Sequence, residues 1–592
     1  MTDSELVLPD LPDGRALAAR GLRMAHALDT GWSSYCRNRQ VRSEREYKEA
    51  TIGRNEITYY INLGLKSWPE TRDALRQVLE ACRRLKLKCD RVSLTADRRM
   101  GLPPEARPTA LEETGIMFWT RDDWQGAGAD LDIQPILNDH AVGSPASLEN
   151  ASAAIEAGFG YVGNLSQQAY RYPGWSSDVE QMIRTVVAIG MIAGKRADGV
   201  VLDSYIDDGF CASFHDAATS LGWCLLHRYI AEDLIGAAYA PSYGSTFADP
   251  LLKQAFGLAL DTINVSRVPP SLVHGDTNSL DASYSLDRNA AIVTSDIFFT
   301  IASQLVHPTG AAVHPTPLTE PSRIPTVEDI VQSLEIGNEA ERRAREAVRL
   351  IDWRPIYALR DQILAGGRAV YRNLLEGLAL LGVNVRDPLQ LLVATKRLGA
   401  IEIERAFGAG EPDPSYPRGR KPLVATDTFK RAAARRQNVL DTLRLMDPQP
   451  TLSGLRVVTA SGDIHEYGLY VVVGVLEELG CAVTDLGTSV DNEAVAAAAA
   501  ETAADAIALS TYNGLAASLT ADLMKRLDLR GIRPRVYVGG RLTEDVGTAK
   551  SIDMSDKITQ AGAIPCALVE DMIRDMNASL GRIATSSQPG KP

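Results

Sequence analysis

The chain has 592 residues, 45% hydrophobic and 23% charged, with a formal net charge of -13. That balance is ordinary for a soluble protein, and the acidic surplus argues against a nucleic-acid partner, which needs a basic face. The longest apolar run, 186–193, is too short to span a bilayer, and seven scattered cysteines without zinc-site spacing fit a reducing compartment. The first residues carry no basic stretch followed by an apolar one, so a cytoplasmic location away from membranes is expected. This length calls for several domains, or one large barrel with a smaller domain.

Residues 1–88 read as a helical, charged N-terminal segment, with helices clearest over 15–28 and 68–87. Between them stand Arg37, Arg39, Arg42 and Arg45. A solvated helix face accounts for such a stretch. A clamp for substrate carboxylates is the sharper alternative.

From 89 to 408 short apolar runs alternate with helical patterns. Strands are expected over 91–94, 115–118, 133–137, 161–163, 199–202, 291–294 and 311–313, and helices over 147–157, 178–193 and 251–260. Repeated βα units of this length predict a (β/α)8 TIM-type barrel catalytic domain. Polar and aromatic residues gather past the strand ends, where a barrel builds its active site: Asn138, Asp139 and His140, then Asn164, Tyr170, Tyr172, Asp203, Tyr205, His274, Asp276, Asp296 and His314. Taken one at a time, each is better explained as a loop hydrogen-bonder than as a catalyst, and their shared position is what matters.

Residues 409–451 read as a linker and connecting helix. The stretch 408–422 is rich in Gly and Pro, a basic helix covers 428–445, and Asp447-Pro448-Gln449-Pro450 breaks the chain. The last residues, 581–592, are polar and read as a disordered tail.

Residues 452–580 have a different pattern. An apolar strand over 455–460 runs into Ser461-Gly462-Asp463-Ile464-His465-Glu466-Tyr467-Gly468, followed by a helix to Gly480. Further strands over 481–487, 506–511 and 535–538 alternate with helices. This is the pattern of a doubly wound, flavodoxin-like or Rossmann-like parallel sheet. Asp463 and His465 then lie on the loop at the carboxyl end of the first strand, where such sheets bind ligands. A loop imidazole can ligate a metal and a nearby carboxylate can orient it. Gly468 removes a side chain where a bulky ligand could approach. Ordinary surface hydrogen bonding fits the same two residues.

Three motifs in order add to this: Asp463-x-His465-x-x-Gly468, the strand end Ser510-Thr511, and Gly539-Gly540. Together they resemble the cobalamin-binding domain of base-off/His-on B12 enzymes, and above all the small subunit of glutamate mutase (methylaspartate mutase). The resemblance implies cobalt-containing adenosylcobalamin as cofactor, with His465 as the lower metal ligand and Asp463 as its hydrogen-bond partner. Ser510, Thr511, Gly539 and Gly540 then seat the nucleotide tail, and Gly468 and Gly514 complete the cofactor-binding set.

The region 89–408 resembles the large barrel subunit of the same family, most clearly over 291–342. Glu320 matches a family Glu that contacts the adenosyl group, while His314 stands where the family has a Lys. Near Asn138-Asp139-His140 the family has an Arg before the His, and Asp139 takes its place. No match for the family's ammonium-binding Glu is evident in 163–168, and Tyr170 and Tyr172 are read as polar walls. The implied catalytic set is Asp139, His140, Tyr170, Tyr172, His314 and Glu320.

The expected function is thus a single-chain adenosylcobalamin-dependent carbon-skeleton mutase, a radical isomerase, acting on a small amino-acid-like substrate other than glutamate. The alternatives are a corrinoid methyltransferase, a glutamate mutase proper, or a B12- or light-sensing binding protein. Besides the small-molecule substrate, the expected partners are a second copy of the chain, as a homodimer, and a reactivating chaperone.

Overall fold

The computed structural model describes residues 8–447, 449–463, 467–512, 514–545 and 551–579. Two compact units divide the chain: Met1–Ala169 with Trp175–Asp427, and Tyr170–Gly174 with Thr428–Pro592.

Among the described residues, the first unit contains eight short strands in parallel sheets: β1 (Tyr60–Asn62), β2 (Arg91–Ser93), β3 (Gln134–Ile136), β4 (Tyr161–Val162), β5 (Val201–Tyr205), β6 (Tyr239–Ser242), β7 (Leu272–Val273) and β8 (Ala312–Val313). They form three parallel sheets, β1-β2-β3, β4-β5-β6 and β7-β8. Single parallel bridges also join Leu137 to Val162, Tyr243 to Val273, and Tyr59 to Val313. Strand side chains alternate between two faces, and the two faces belong to different cores. Tyr60, Ile136, Tyr161, Val201, Ala240, Leu272 and Ala312, from every strand but β2, make one small cluster. Their neighbours Tyr59, Ile61, Val162, Leu202 and Val313 join the large core shared with the helices.

β2 places the charged Arg91 in this interior, and the fold compensates it. Arg91 is ion-paired with Glu44 of the helix Glu44–Gly53, both almost fully buried. From the same helix Lys48 Nζ donates to three carbonyls, Pro270 O (2.9 Å), Ser271 O (2.8 Å) and Gly310 O (2.7 Å). Buried charges persist only when paired and hydrogen-bonded in this way.

Several sequence expectations change. Residues 291–294 are not a strand but the middle of the helix Leu286–Val306. Ser285 caps that helix by accepting from Arg288 N, and the apolar run is one stretch of a 21-residue helix. By length and composition it could cross a membrane, yet half of its apolar window is buried inside the unit. Residues 116 and 117 make only isolated bridges, to Ala96 and Ser67. β1, β6 and β7 were not foreseen, and β1 lies inside the segment read as helical. Arg39, Arg42 and Arg45 pair with Asp132, Glu46 and Glu49, the last two at helical i,i+4 spacing. That pairing fits the solvated-face reading.

The Gly/Pro-rich stretch is strapped to the first unit. β9 (Glu411–Pro412) and β10 (Arg420–Lys421) form a small antiparallel pair. Arg420 donates to Arg405 O (2.7 Å) and Gly410 O (2.9 Å). Asp216 accepts from Leu423 N (2.7 Å) and Val424 N (3.0 Å). The first unit therefore runs to Asp427.

The second unit has a five-stranded parallel sheet in the order β12-β11-β13-β14-β17. Its strands are β11 (Arg456–Ser461), β12 (Ala482–Asp485), β13 (Ala506–Thr511), β14 (Arg535–Gly540) and β17 (Ile564–Cys566), and an antiparallel pair, β15 (Thr543–Asp545) with β16 (Ser551–Asp553), precedes β17. Helices cover both faces. Val457, Ala508 and Tyr537 face one core, which includes Val439 and Leu443 of the helix Asp427–Arg444. Val458, Ile507, Leu509 and Val538 face the other. This is the doubly wound sheet expected from the sequence, with the fifth strand added.

Candidate functional site

In the second unit the register builds a row of small residues. Ser461 pairs with Ser510, and Ser510 pairs with Gly539, at the carboxyl ends of three adjacent strands. One step further Thr511 pairs with Gly540. Gly540 has φ +97°, and a Cβ there would lie 2.2 Å from Thr511 O, so only glycine fits. Gly468 opens the helix Tyr467–Glu478, where a Cβ would lie 3.2 Å from Ser510 Oγ. Gly514, at φ +72°, turns the chain after β13.

Asp463 sits at the end of β11 and is 1% exposed. Its carboxylate accepts from Tyr512 N, and from Ser461 Oγ and Thr511 Oγ1 at 3.4 Å each. Its carbonyl accepts from Ser489 N at 2.8 Å. Ser489 Oγ is buried beside it with no hydrogen-bond partner in the structure. A fixed carboxylate, a row lacking bulk and an unsatisfied hydroxyl suit the tail of a large polar ligand. His465 lies outside the described residues.

In the first unit Asp139 and His140 follow β3. Gln167 organises both. Its Oε1 accepts from His140 N (2.7 Å), so its Nε2 faces the carboxylates of Asp139 (3.1 Å) and Asp208 (3.0 Å). Asp139 also accepts from Ala96 N at 3.2 Å. Burial raises Asp139 to about 6, against the opposing pull of those two hydrogen bonds. Asn164 Nδ2 donates to Asp208 Oδ2 (2.8 Å) and Tyr205 O (3.0 Å). His140 has φ +62°, and its carbonyl accepts from Ser144 Oγ and Asn150 Nδ2. Burial, then Arg98 and Arg107, lower its imidazole to about 3, so the ring is neutral.

A second group stands at the ends of β1, β7 and β8. His314 stacks on Tyr60 with ring centroids 4.8 Å apart and lies 4.5 Å from the His274 ring. His274 Nδ1 lies 2.8 Å from Gly275 O, which can only accept, and Nε2 lies 2.9 Å from Asn62 Nδ2. Those partners fix the neutral tautomer protonated at Nδ1. His314 is held well below the ordinary histidine value, first by burial and then by His274 and Lys253. Its Nδ1 and the Tyr60 hydroxyl are buried without hydrogen-bond partners in the structure. Asp207 accepts from Gly244 N, Ser245 Oγ, Thr246 N and Tyr205 Oη at 2.9–3.2 Å.

Thus Asp139 and His140 share one cluster, and His314 lies in another. Glu320 is in the turn after β8, partly buried, with its N–H bonded to Pro317 O (3.1 Å). Tyr170 and Tyr172 group with the second unit. Asp296 is on the helix Leu286–Val306 and pairs with Lys253 at 2.6 Å, instead of following a strand. Sequence reasoning missed Tyr60, Asn62, Asp207 and Asp208. The run Thr58-Tyr59-Tyr60-Ile61 before Gly64 has strand chemistry, and that signal would have found the first two.

Comparison with known proteins agrees with the C-terminal geometry. Residues 454–553 match the B12 binding domain family. Among solved structures, a novel cobalamin-binding protein from Desulfitobacterium hafniense DCB-2, determined at 1.5 Å, is 20% identical with a TM-score of 0.20. The match covers 24% of this chain and 66% of that protein. No curated protein matches the chain. The second unit carries a B12 binding domain, which supports cobalamin as a cofactor.

Proposed function

We propose that the chain is an adenosylcobalamin-dependent carbon-skeleton mutase whose first unit is a (β/α)8 barrel holding the substrate, a small amino-acid-like molecule other than glutamate. The observation that carries this reading is the strand order of the first unit. The three single bridges link β3 to β4, β6 to β7 and β8 back to β1, in cyclic sequence. A small apolar cluster drawn from seven of the eight strands supports it, because a barrel interior is a packed core. In such a fold the carboxyl ends of the strands form the site. Asp139, Gln167, Asp208, His274 and His314 stand there, after β3, β4, β5, β7 and β8.

Bound adenosylcobalamin supplies a carbon–cobalt bond that cleaves homolytically and so provides radical chemistry. Asp463, Gly468, Ser510, Thr511, Gly514, Gly539 and Gly540 would hold it, and the motif assigns the lower metal ligand to His465. The chain's own residues position the substrate and keep water out. Burial of His314, with Asp139 and His274 partly buried, suits that task. A methyltransferase is the second reading. It is disfavoured because a strap and the single helix Asp427–Arg444 precede the B12 domain, where a helical cap domain would be needed.

The test is anaerobic incubation with adenosylcobalamin and small amino acids, with electron paramagnetic resonance for cob(II)alamin and mass spectrometry for isomers. L-Glutamate should give no 3-methylaspartate. Demethylation of methylcobalamin without any cob(II)alamin signal would favour the methyltransferase. In His465→Ala the cob(II)alamin spectrum should lose the hyperfine splitting from a protein nitrogen.

A further inference from the structure

We infer that the strand ends of the first unit bind an uncharged polar group of the substrate, a carboxamide or hydroxyl, on a neutral floor made by Asn62, His274 and His314. This rests on the reading that those strand ends hold the substrate.

The three side chains face the same interior. Each lies two residues beyond a member of the small inner cluster: Tyr60, Leu272 and Ala312. The ladder continues through that step, since His274 N donates to Tyr243 O (2.7 Å) and His314 N to Val273 O (3.2 Å). His274 joins the other two, with Nε2 2.9 Å from Asn62 Nδ2 and its ring centroid 4.5 Å from that of His314. Asn62 and His274 face inward yet are partly exposed, so open space stands over them. His314 is an independent sign of a ligand. It is 2% exposed, and no hydrogen bond reaches either ring nitrogen from the described residues. A buried imidazole left so costs free energy that a ligand would recover.

The existing bonds fix what the floor offers. His274 is protonated at Nδ1, so Nε2 accepts from Asn62 Nδ2, and Asn62 Oδ1 is the amide atom left to accept. His314 is held uncharged by burial, then by His274 and Lys253, so it offers one N–H and one lone pair. A carboxamide or hydroxyl both donates and accepts, which matches this set. A carboxylate only accepts, and an ammonium only donates. The neighbouring charges are already spent. Lys253 pairs with Asp296 at 2.6 Å. Asp207 takes its four donors at 2.9–3.2 Å. Asp203 is fully buried and level with Ala240 of the inner cluster. A charged group placed on this floor would be desolvated without a partner, which is costly.

The experiment is isothermal titration calorimetry on the full chain, with and without adenosylcobalamin. Three five-carbon α-amino acids that differ only at the far end serve as probes: L-glutamine with a carboxamide, L-glutamate with a carboxylate, and L-ornithine with an ammonium. L-Glutamine should bind roughly tenfold or more tighter than either of the others, since it alone fills the floor without burying a lone charge. His314→Phe keeps a ring to stack on Tyr60 but has no ring nitrogen, and should erase that preference. Asn62→Asp keeps the size and adds an anion. It should turn the preference to L-ornithine, and it serves if the first variant folds poorly. L-Glutamate or L-ornithine binding wild type as tightly as L-glutamine, binding by none of the three, or a preference unchanged in both variants would overturn the inference. The mutase reading fails differently: L-glutamine is preferred as expected, but adenosylcobalamin with small amino acids yields neither cob(II)alamin nor an isomer.

Discussion

Lys253 Nζ lies 2.6 Å from Asp296 Oδ1, with the two side chains 0% and 7% exposed. The same Nζ donates to His274 O at 2.8 Å. This pair therefore ties the helix Pro250–Ile263 to the helix Leu286–Val306 and to the end of β7. Removing one partner leaves the other charge buried and alone, at a cost of about 3–5 kcal/mol. Lys253→Met should show that loss in urea denaturation followed by circular dichroism. The double variant Lys253→Met/Asp296→Leu should recover most of it. A loss under about 1 kcal/mol in the single variant would show that the pair is solvated, contrary to its burial.

Glu404 gives a pH dependence with a definite sign. It accepts from His215 N (2.9 Å) and Asp216 N (2.9 Å), and burial raises it from 4.5 to about 7 despite those bonds and Arg418. Below pH 4.5 the group is protonated in both the folded and unfolded chain. Between 4.5 and 7 only the unfolded chain gives up the proton, so stability falls as pH rises. The full effect is about 3 kcal/mol by linkage. Comparing stability at pH 5 and pH 8 in wild type and Glu404→Gln isolates it. The variant should lose less stability over that interval. Equal losses would mean that Glu404 titrates at its ordinary value.

The strap across the first unit predicts where the chain can be divided. Asp216 holds Leu423 and Val424 by their N–H groups, and Ala217 N bonds back to Val424 O at 2.9 Å. A fragment ending at 427 keeps these bonds, and one ending at 410 loses them. The longer fragment should be more soluble and melt several degrees higher, since each lost buried bond costs about 1 kcal/mol. Asp216→Ala in the full chain should expose the 411–426 stretch to limited proteolysis. Equal melting of the two fragments would show that the strap adds nothing to the first unit.

What was legible in the sequence depended on how local the signal was. The parallel sheet of the second unit was readable because three of its strands are six-residue runs ending in small residues, at Ser461, Ser510-Thr511 and Gly539-Gly540. The first unit's strands are two to five residues long, too short for periodicity to separate from helix. The run at 291–294 misled for that reason. Asp139 stood out beside His140, but its partners did not. Gln167 and Asp208 meet it across 28 and 69 positions of chain only after β3, β4 and β5 align.

The cofactor slot of the second unit can be tested through Gly468. A Cβ on this residue would lie 3.2 Å from Ser510 Oγ, so Gly468→Ala crowds the slot by a few tenths of an ångström. Ser510 is paired with Ser461 and Gly539 in the row, so its backbone is fixed and only its hydroxyl can turn aside. Gly468→Ala should therefore weaken cobalamin binding a few-fold, and Gly468→Val roughly tenfold or more, since overpacking a fixed site costs about 1–3 kcal/mol. Binding is read from the visible spectrum of cobalamin titrated with the full chain. Adding Ser510→Gly to Gly468→Ala removes the hydroxyl that the new methyl meets, and should restore most of the loss. The melting temperatures should stay close together, because Gly468 lies in the first turn of its helix, at a surface where alanine is the better helix former. Wild-type affinity in Gly468→Val would place the cofactor away from the Gly468–Ser510 gap. A double variant no better than Gly468→Ala would mean that the methyl acts through the helix backbone instead of through Ser510.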